Sequence, residues 1–341
     1  MFNRKYLFGL LYFIVFICVN AQTEQKYADL GDFKLENGDT IKDCKIGYRT
    51  YGNLDKNKSN IVLFPTFFNG TSKANERNLG AGKLIDTLKY YVISIDAIGN
   101  GISTSPNNSV RQPNNQFPYF TITDMVNSQY AALTKCLGID HVFCVLGGSM
   151  ASMQTYEWLV TYPSFMDKAI PYVPTPYLTS HDKFLWSIAL EVIKIGEEYN
   201  VPDKNIAKLL MMMISFSAHT SANLNRTVPV EKFDDYLKRF DGEASKIFPP
   251  INWKYQLISM INHNITKKFN FSKEETAKII KAKVLAIIGL SDDILNPASA
   301  IEFSKIAKLE TLLLDNDCGH GAVGCEMEKV SNAIAKFLDE K

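Results

Sequence analysis

Neither sign of charge prevails in this 341-residue sequence: 37 Lys and Arg stand against 36 Asp and Glu, for a formal net charge of +1. Non-specific nucleic-acid binding rests on clustered positive charge, so the balance speaks against a polyanion partner. Long apolar runs are missing too. The longest, Tyr6 to Val19, has about 14 residues, whereas a membrane-spanning helix needs roughly 20. The six cysteines include no C-x-x-C pair and no Cys/His group with zinc-ligand spacing, which argues against a metal site. The glycines at 147 and 148 show neither the G-x-G-x-x-G nor the G-K-[ST] spacing, so no phosphate-cradling loop is expected there. Internal repeats and low-complexity linkers are absent as well. Histidine is scarce, with five in the chain, few enough to be weighed one at a time.

What remains is a globular chain, 46% hydrophobic and 12% aromatic. Its first 21 residues read as a secretory signal peptide. Arg4 and Lys5 open it, Tyr6 to Val19 is its apolar stretch, and Val19-Asn20-Ala21 offers a small-residue cleavage site before Gln22. Ile17 is too bulky for lipoprotein processing at Cys18. The expected location is therefore secreted or periplasmic, with no membrane span once residues 1–21 are removed. Five cysteines follow: Cys44, Cys136, Cys144, Cys318 and Cys325. An odd number leaves at least one thiol without an internal partner. Cys144 lies in an apolar run and is expected to be buried and inert. Cys318 and Cys325 flank a histidine, and their pairing stays open.

Six short apolar or alternating runs read as strands of a parallel sheet: Ile61 to Phe64, Tyr91 to Ile95, Val142 to Leu146, Ala169 to Val173, Val284 to Ile288 and Leu312 to Leu314. Uninterrupted apolar runs of this length suit strands buried on both faces. A hairpin precedes them, Asp32 to Leu35 and Thr40 to Thr50, with Asn37-Gly38 as a two-residue turn signal. Helical periods over Ile122 to Leu137 and Met150 to Tyr162 complete a β-α-β alternation, hence an α/β fold with a mostly parallel central sheet. Between Pro176 and Ala282 the signals are only helical: Phe184 to Tyr199, Asn205 to Phe216, Val230 to Phe240, Trp253 to Asn262 and Ser272 to Lys281. The expected organisation is a core in two parts, 22–176 and 282–341, with a helical lid at 177–281. Ligands of open α/β sheets bind along the carboxyl edge of the strands, which such a lid would cover.

Chemistry enters at Gly147-Gly148-Ser149-Met150-Ala151, directly after the run Val142 to Leu146 and before a helix. A strand–turn–helix with serine at its apex is a nucleophile elbow, which strains the serine backbone and lifts its hydroxyl out of the sheet edge. Ala151 stands where a second glycine is more usual. A serine hydroxyl needs a base, and the base needs a carboxylate to orient it. In this fold the chain order is Ser, acid, His. His141 precedes the serine, while His181, His219 and His263 fall in the helical block. Only His320, in Asp317-Cys318-Gly319-His320-Gly321, follows the late strand expected to carry the acid. That strand exits into Ser291-Asp292-Asp293-Ile294-Leu295-Asn296-Pro297. Asp293, four residues before the proline, is the expected acid, with Asp292 in reserve. The oxyanion donors are expected at the backbone N–H of Met150 and, in the loop after the first parallel strand, of Phe67.

These residues resemble the homoserine O-acetyltransferase-like branch of the α/β-hydrolases over nearly all of the sequence after Ala21. The similar stretches are Phe33 to Gly38, Ile46-Gly47-Tyr48-Arg49-Thr50-Tyr51-Gly52, Thr121 to Val126, Gly147-Gly148-Ser149-Met150 continuing to Met153-Gln154 and Glu157-Trp158, and Gly319-His320. The resemblance implies that Ser149, Asp293 and His320 take the triad positions. It departs at Gly321, where the acyltransferases carry an aspartate that helps hold the amino acid's ammonium. Asp96 to Ser103 departs from their glycine-rich stretch, and Thr66-Phe67-Phe68 from their Leu-Thr-Gly loop.

The reading that follows is an exported serine acyl-transfer enzyme, an ester hydrolase working through an acyl-enzyme on a small-molecule acyl ester. Transfer of the acyl group to an alcohol acceptor is the alternative, and a non-catalytic binding module on the same scaffold is a second. No metal or organic cofactor is implied, and a homodimer stays open.

Overall fold

The computed structural model describes residues 23–243 and 249–340, so the expected signal peptide lies outside the described residues. Eight strands form one sheet: β1 (Lys26–Lys34), β2 (Thr40–Tyr51), β3 (Ile61–Pro65), β4 (Tyr91–Ile95), β5 (Val142–Gly148), β6 (Met166–Tyr172), β7 (Lys283–Gly289) and β8 (Glu310–Leu314). Their spatial order is β1-β2-β4-β3-β5-β6-β7-β8. β1 pairs antiparallel with β2 and β2 antiparallel with β4, while every pair from β4 onward is parallel.

All six apolar runs are strands. Burial explains why the runs in β3 and β7 show no alternation: every residue of β3 is buried, and in β7 only Lys283 is exposed. β8, at the sheet edge, instead buries only Leu314, against the expectation of a strand covered on both faces. The hairpin joins β1 to β2 as expected, but through a five-residue loop rather than a two-residue turn. Leu35 N–H reaches Asp39 C=O and Gly38 N–H reaches Leu35 C=O. Gly38, at φ +93°, supplies the left-handed residue that this loop requires.

Helices α1 (Ile122–Ala131) and α2 (Met150–Thr161) lie in the first part of the core. Thr121 and Asp124 cap α1 reciprocally, each side chain accepting from the other's N–H. Between β6 and β7 the named elements are helical: α3 (Ser180–Glu198), α4 (Asp203–Ala218), α5 (Ser221–Thr227), α6 (Phe233–Glu243), α7 (Pro250–Ile261) and α8 (Lys273–Ile279), with short 3₁₀ turns between. α5 is built largely of Ser, Asn and Thr, which favour caps and turns, so it carries no helical signal in the sequence. After β7 come α9 (Ala298–Ala307), the short α10 (Ala322–Cys325) and α11 (Met327–Asp339). Val330, Ile334, Phe337 and Leu338 form the buried stripe of α11, spaced i, i+4, i+7 and i+8. Among the described residues no helix is long and apolar enough to cross a membrane.

One buried histidine bears on stability. His263 follows α7, is 5% exposed and has no partner at Nε2. Burial lowers its pKa to about 4, against the opposing pull of Glu157; Lys268 adds to the depression. An unfolded chain takes up this proton near the ordinary histidine value of about 6.5, and the folded chain only near 4. Folding stability should therefore fall as pH drops through that window, by up to about 3 kcal/mol from this group. Denaturant titrations at pH 7 and 4.5 should show a smaller acid loss in His263→Asn than in the parent. An equal loss in both would refute the assignment.

Candidate active site

Ser149 stands between the last residue of β5 and the first of α2, with φ +58° and ψ −127°. This is the strained backbone expected of an elbow serine, a conformation that costs about 1–3 kcal/mol and persists only when its surroundings enforce it. Three contacts do so. Ser149 N–H donates to Tyr172 C=O at 3.3 Å, tying the turn to the end of β6. A Cβ on Gly147 would lie 2.5 Å from Ala151 O, and one on Gly148 would lie 2.0 Å from the Tyr172 ring. The tight approach in this elbow therefore falls on Gly147 and Gly148, and Ala151 fits where a glycine is more usual.

The loop after β7 brings a carboxylate to His320, and it is that of Asp292 rather than of the expected Asp293. Asp293 is exposed, whereas Asp292 is 2% exposed and its Oδ2 lies 2.7 Å from His320 Nδ1. The other oxygen of Asp292 accepts the N–H groups of Ile294 at 2.9 Å and Leu295 at 3.1 Å. That local turn draws the Asp292 side chain inward and leaves Asp293 facing solvent. Distance from Pro297 carried no information about which carboxylate turns in.

His320 lies on a single 3₁₀ turn (Gly319–Gly321) after β8. Its Nε2 has no protein partner among the described residues. Gly319 has φ +58°, and a Cβ there would meet Ala218 O at 2.5 Å, so the turn fits against the end of α4 only with glycine. Several bonds fix it further. Thr220 Oγ1 donates to Asp317 C=O at 2.5 Å. Arg226 holds the Asp317 carboxylate through two nitrogens, at 2.7 and 3.2 Å, and keeps that carboxyl below its ordinary pKa. Asn223 Nδ2 lies 3.4 Å from Cys318 Sγ, and a Cys318–Cys325 disulfide spans the histidine. Cys44 and Cys144 are buried free thiols, with burial pushing Cys44 up to about 12 and Cys144 higher still.

Serine and histidine turns share one end of the sheet. Val173 N–H, just past β6, donates to Ile287 C=O, and a Cβ on Gly289 would sit 3.5 Å from Gly319 O and 3.8 Å from Val173 Cγ1. The four other histidines stay away from the Asp292 carboxylate. His141 is beside Asp167, His181 beside Asp182, His219 Nδ1 on Ser215 C=O, and His263 is buried behind α7.

Met150 is the first residue of α2, and Phe67 follows β3. Among the described residues neither backbone N–H is taken up by a protein acceptor, as oxyanion donors require. The helical insertion between β6 and β7, expected to form the lid, reaches the Phe67 loop directly. Phe68 packs edge-on against Trp186 of α3 and Trp253 of α7, at ring distances of 5.8 and 4.9 Å. Asn69 N–H donates to Gln256 Oε1 at 3.2 Å. The lid also fastens the acid loop: Asp182, fully buried at the start of α3, accepts Asn296 N–H at 2.7 Å. Burial pushes that carboxyl up, while its backbone bonds pull it down. The sequence signal for Asp182 was present, because Thr179-x-x-Asp182 is a capping box, but its bond to Asn296 is a tertiary fact.

Between α4, α5 and α6 lies an open pocket of about 640 Å³, its wall mixing apolar Met211, Ile214 and Phe240 with polar Ser215, His219 and Arg239. Asn223 belongs to the same wall and to the histidine turn.

Comparison with known proteins bears on the family and the fold. A family profile described as alpha/beta hydrolase fold matches residues 60–323. A probable esterase of Corynebacterium glutamicum is 36% identical over 54% of the chain, and the match spans 54% of that protein, about half its length. A homoserine O-acetyltransferase of Methanohalophilus mahii is 34% identical over 90% of this chain and 70% of its own. Among solved structures, an acetylester hydrolase from Corynebacterium glutamicum superposes with a TM-score of 0.85 at 23% identity, covering 93% of this chain and 96% of that one. At that identity the likeness shows the shared fold.

Proposed function

Because the chain belongs to the α/β-hydrolase fold family, in its homoserine O-acetyltransferase-like branch, we propose that it is a serine acyl-transfer enzyme whose main reaction is ester hydrolysis. Ser149, His320 and Asp292 carry the reaction in this proposal, with Asp292 in place of the Asp293 expected from sequence. Ser149 Oγ attacks the ester carbonyl as His320 Nε2 takes its proton. Asp292 holds Nδ1–H, fixes the ring's tautomer and stabilises the imidazolium. The developing oxyanion is received by the N–H groups of Phe67 and Met150. Collapse expels the alcohol, which leaves with the proton from His320. Water then attacks the acyl-enzyme through the same base, releasing the acid and free Ser149. The observation that carries this reading is the 2.7 Å contact between buried Asp292 and half-buried His320, at the same sheet edge as a serine with positive φ.

Transfer to an alcohol instead of water is the second reading, favoured by the acetyltransferase relative. The two differ only in which hydroxyl meets the acyl-enzyme, so adding millimolar alcohol acceptors and measuring how product partitions distinguishes them.

Export forms part of the proposal. Its support is the signal-like N-terminus and the disulfide that spans His320, a bond at home in oxidising compartments. One experiment covers both halves. Protein recovered from the periplasm or medium should begin at Gln22 and react with a fluorophosphonate, and Ser149→Ala should abolish the labelling. A folded wild-type protein that resists the probe refutes the enzymatic reading, and an intact residue 1–21 segment refutes export.

A further inference from the structure

Behind the oxyanion loop runs a chain of buried polar side chains that the reaction scheme above does not use. Trp158 Nε1 on α2 donates to Gln129 Oε1 on α1 at 2.9 Å. Gln129 Nε2 donates to Gln154 Oε1 at 2.6 Å. Gln154 Nε2 donates to Thr66 C=O at 3.0 Å and to Met150 C=O at 3.3 Å. Trp158, Gln129, Gln154 and Thr66 are each fully buried. Apolar side chains of similar volume would fill this space without three polar side chains to satisfy, so packing alone does not call for glutamines here.

The chain has a sense. An indole N–H can only donate, so Gln129 must present its oxygen to Trp158 and its amide nitrogen to Gln154. Gln154 must then present its oxygen to Gln129 and its nitrogen to the Thr66 carbonyl. Thr66 C=O and Phe67 N–H belong to one planar trans peptide unit and point in opposite directions. A grip on that carbonyl therefore aims the Phe67 N–H away from α2, toward the space where an oxyanion would form. The remaining groups of Thr66 hold it from other sides: its N–H donates to Ile95 C=O at 3.1 Å, and its Oγ1 accepts from Ala97 N–H at 3.0 Å. Through the Met150 carbonyl the same amide touches the first turn of α2, whose leading N–H is the second donor.

We propose that Gln154, oriented by Gln129 and Trp158, is a positioning residue that sets the direction of the Phe67 oxyanion donor. The inference rests on the serine acyl-transfer reading, and it adds that this relay acts on the tetrahedral state and leaves ground-state binding alone. Gln154→Met keeps the volume and removes both the donor to Thr66 and the acceptor for Gln129. Losing one aligned oxyanion donor costs about 10²–10³-fold in kcat, so a decline of about 10²-fold is expected for p-nitrophenyl acetate, with KM within threefold of the parent. Phenylboronic acid supplies a readout that a purely structural role would not move. Its boron bonds to Ser149 Oγ, the serine proton passes to His320, and a boronate oxygen occupies the oxyanion position. Its Ki should rise in step with the fall in kcat/KM.

Trp158→Phe deletes the indole N–H while keeping an aromatic ring in the core, and should give a smaller decline, about 10-fold, along the same proportionality. It also serves as the test if Gln154→Met does not fold. The proposal is overturned if a folded variant keeps parental kcat, if the loss lies in KM, or if kcat falls while the boronate Ki stays fixed. Failure of the wild type itself to react with a fluorophosphonate would instead remove the underlying enzymatic reading. Wild-type labelling with unchanged variants removes only the relay.

Discussion

Asp292→Asn is expected to lower kcat for a short acyl ester by about 10⁴-fold, while Asp293→Asn leaves it within about threefold of the parent. The two residues are neighbours of identical chemistry, so the contrast isolates position. Asp292 is buried with one oxygen on His320 Nδ1 and the other on two backbone N–H groups, whereas Asp293 is exposed. An asparagine at 292 can keep the two bonds from Ile294 and Leu295 through its carbonyl oxygen. Its amide then faces Nδ1 as a donor, which forces the imidazole into the tautomer with its proton on Nε2. A ring in that state cannot take the Ser149 proton. The loss should appear in kcat with little change in thermal stability, because the turn retains its backbone bonds. Equal losses at both positions, or a large loss only in Asp293→Asn, would overturn the assignment of the acid.

Gly147→Ala should be the second large effect, and for a steric reason. The added Cβ would fall 2.5 Å from the Ala151 carbonyl oxygen, 2.7 Å from its carbon and 2.8 Å from its Cβ. Two of those atoms are backbone in the first turn of α2, so no side-chain rotation relieves the clash. The helix must move off the end of β5, carrying Ser149 and the Met150 N–H with it. Overpacking of this kind costs about 1–3 kcal/mol of stability. Displacing the nucleophile by about 1 Å costs about 10²-fold in rate, so activity should suffer more than folding. Gly324→Ala is the matched control. Nothing lies within 4 Å of a Cβ there and its φ is not positive, so stability and kcat should both be retained. A Gly147→Ala protein with parental kcat would mean that the elbow tolerates a shift the geometry forbids.

Much of the scaffold was legible because strands buried on both faces need apolar residues at every position, and such runs stand out in one dimension. β3, β5 and β7 are of this kind, and β4 is interrupted only by Ser94, whose buried hydroxyl bonds with Asn75 and the Ser72 carbonyl. The elbow was legible for a related reason: a turn that presses backbones together demands small residues at fixed offsets around Ser149, and Gly147 and Gly148 meet that demand. His320 followed from chain order, which the topology of the sheet imposes. Less was legible where one residue's role depends on a partner far along the chain. Helix α5 is rich in Ser, Asn and Thr, which favour caps and turns, and the hairpin loop is longer than Asn37-Gly38 suggests because Leu35 and Asp39 close it. The choice between Asp292 and Asp293 turned on a local hydrogen-bonded turn together with a histidine 28 residues away.

By itself, then, the order of amino acids determined an α/β sheet with a helical insertion, a serine at a strained bend and a histidine beyond the last strand. Those features arise from local sterics and from apolar periodicity, both of which act between residues close in sequence. Only the folded molecule decided which carboxylate meets His320, that Asp182 of the lid braces the acid loop, and that Trp158, Gln129 and Gln154 line up on the Thr66 carbonyl. Each depends on the direction of a polar side chain between elements distant in sequence. Hydrogen bonding is directional in space, and no spacing along a chain encodes that direction.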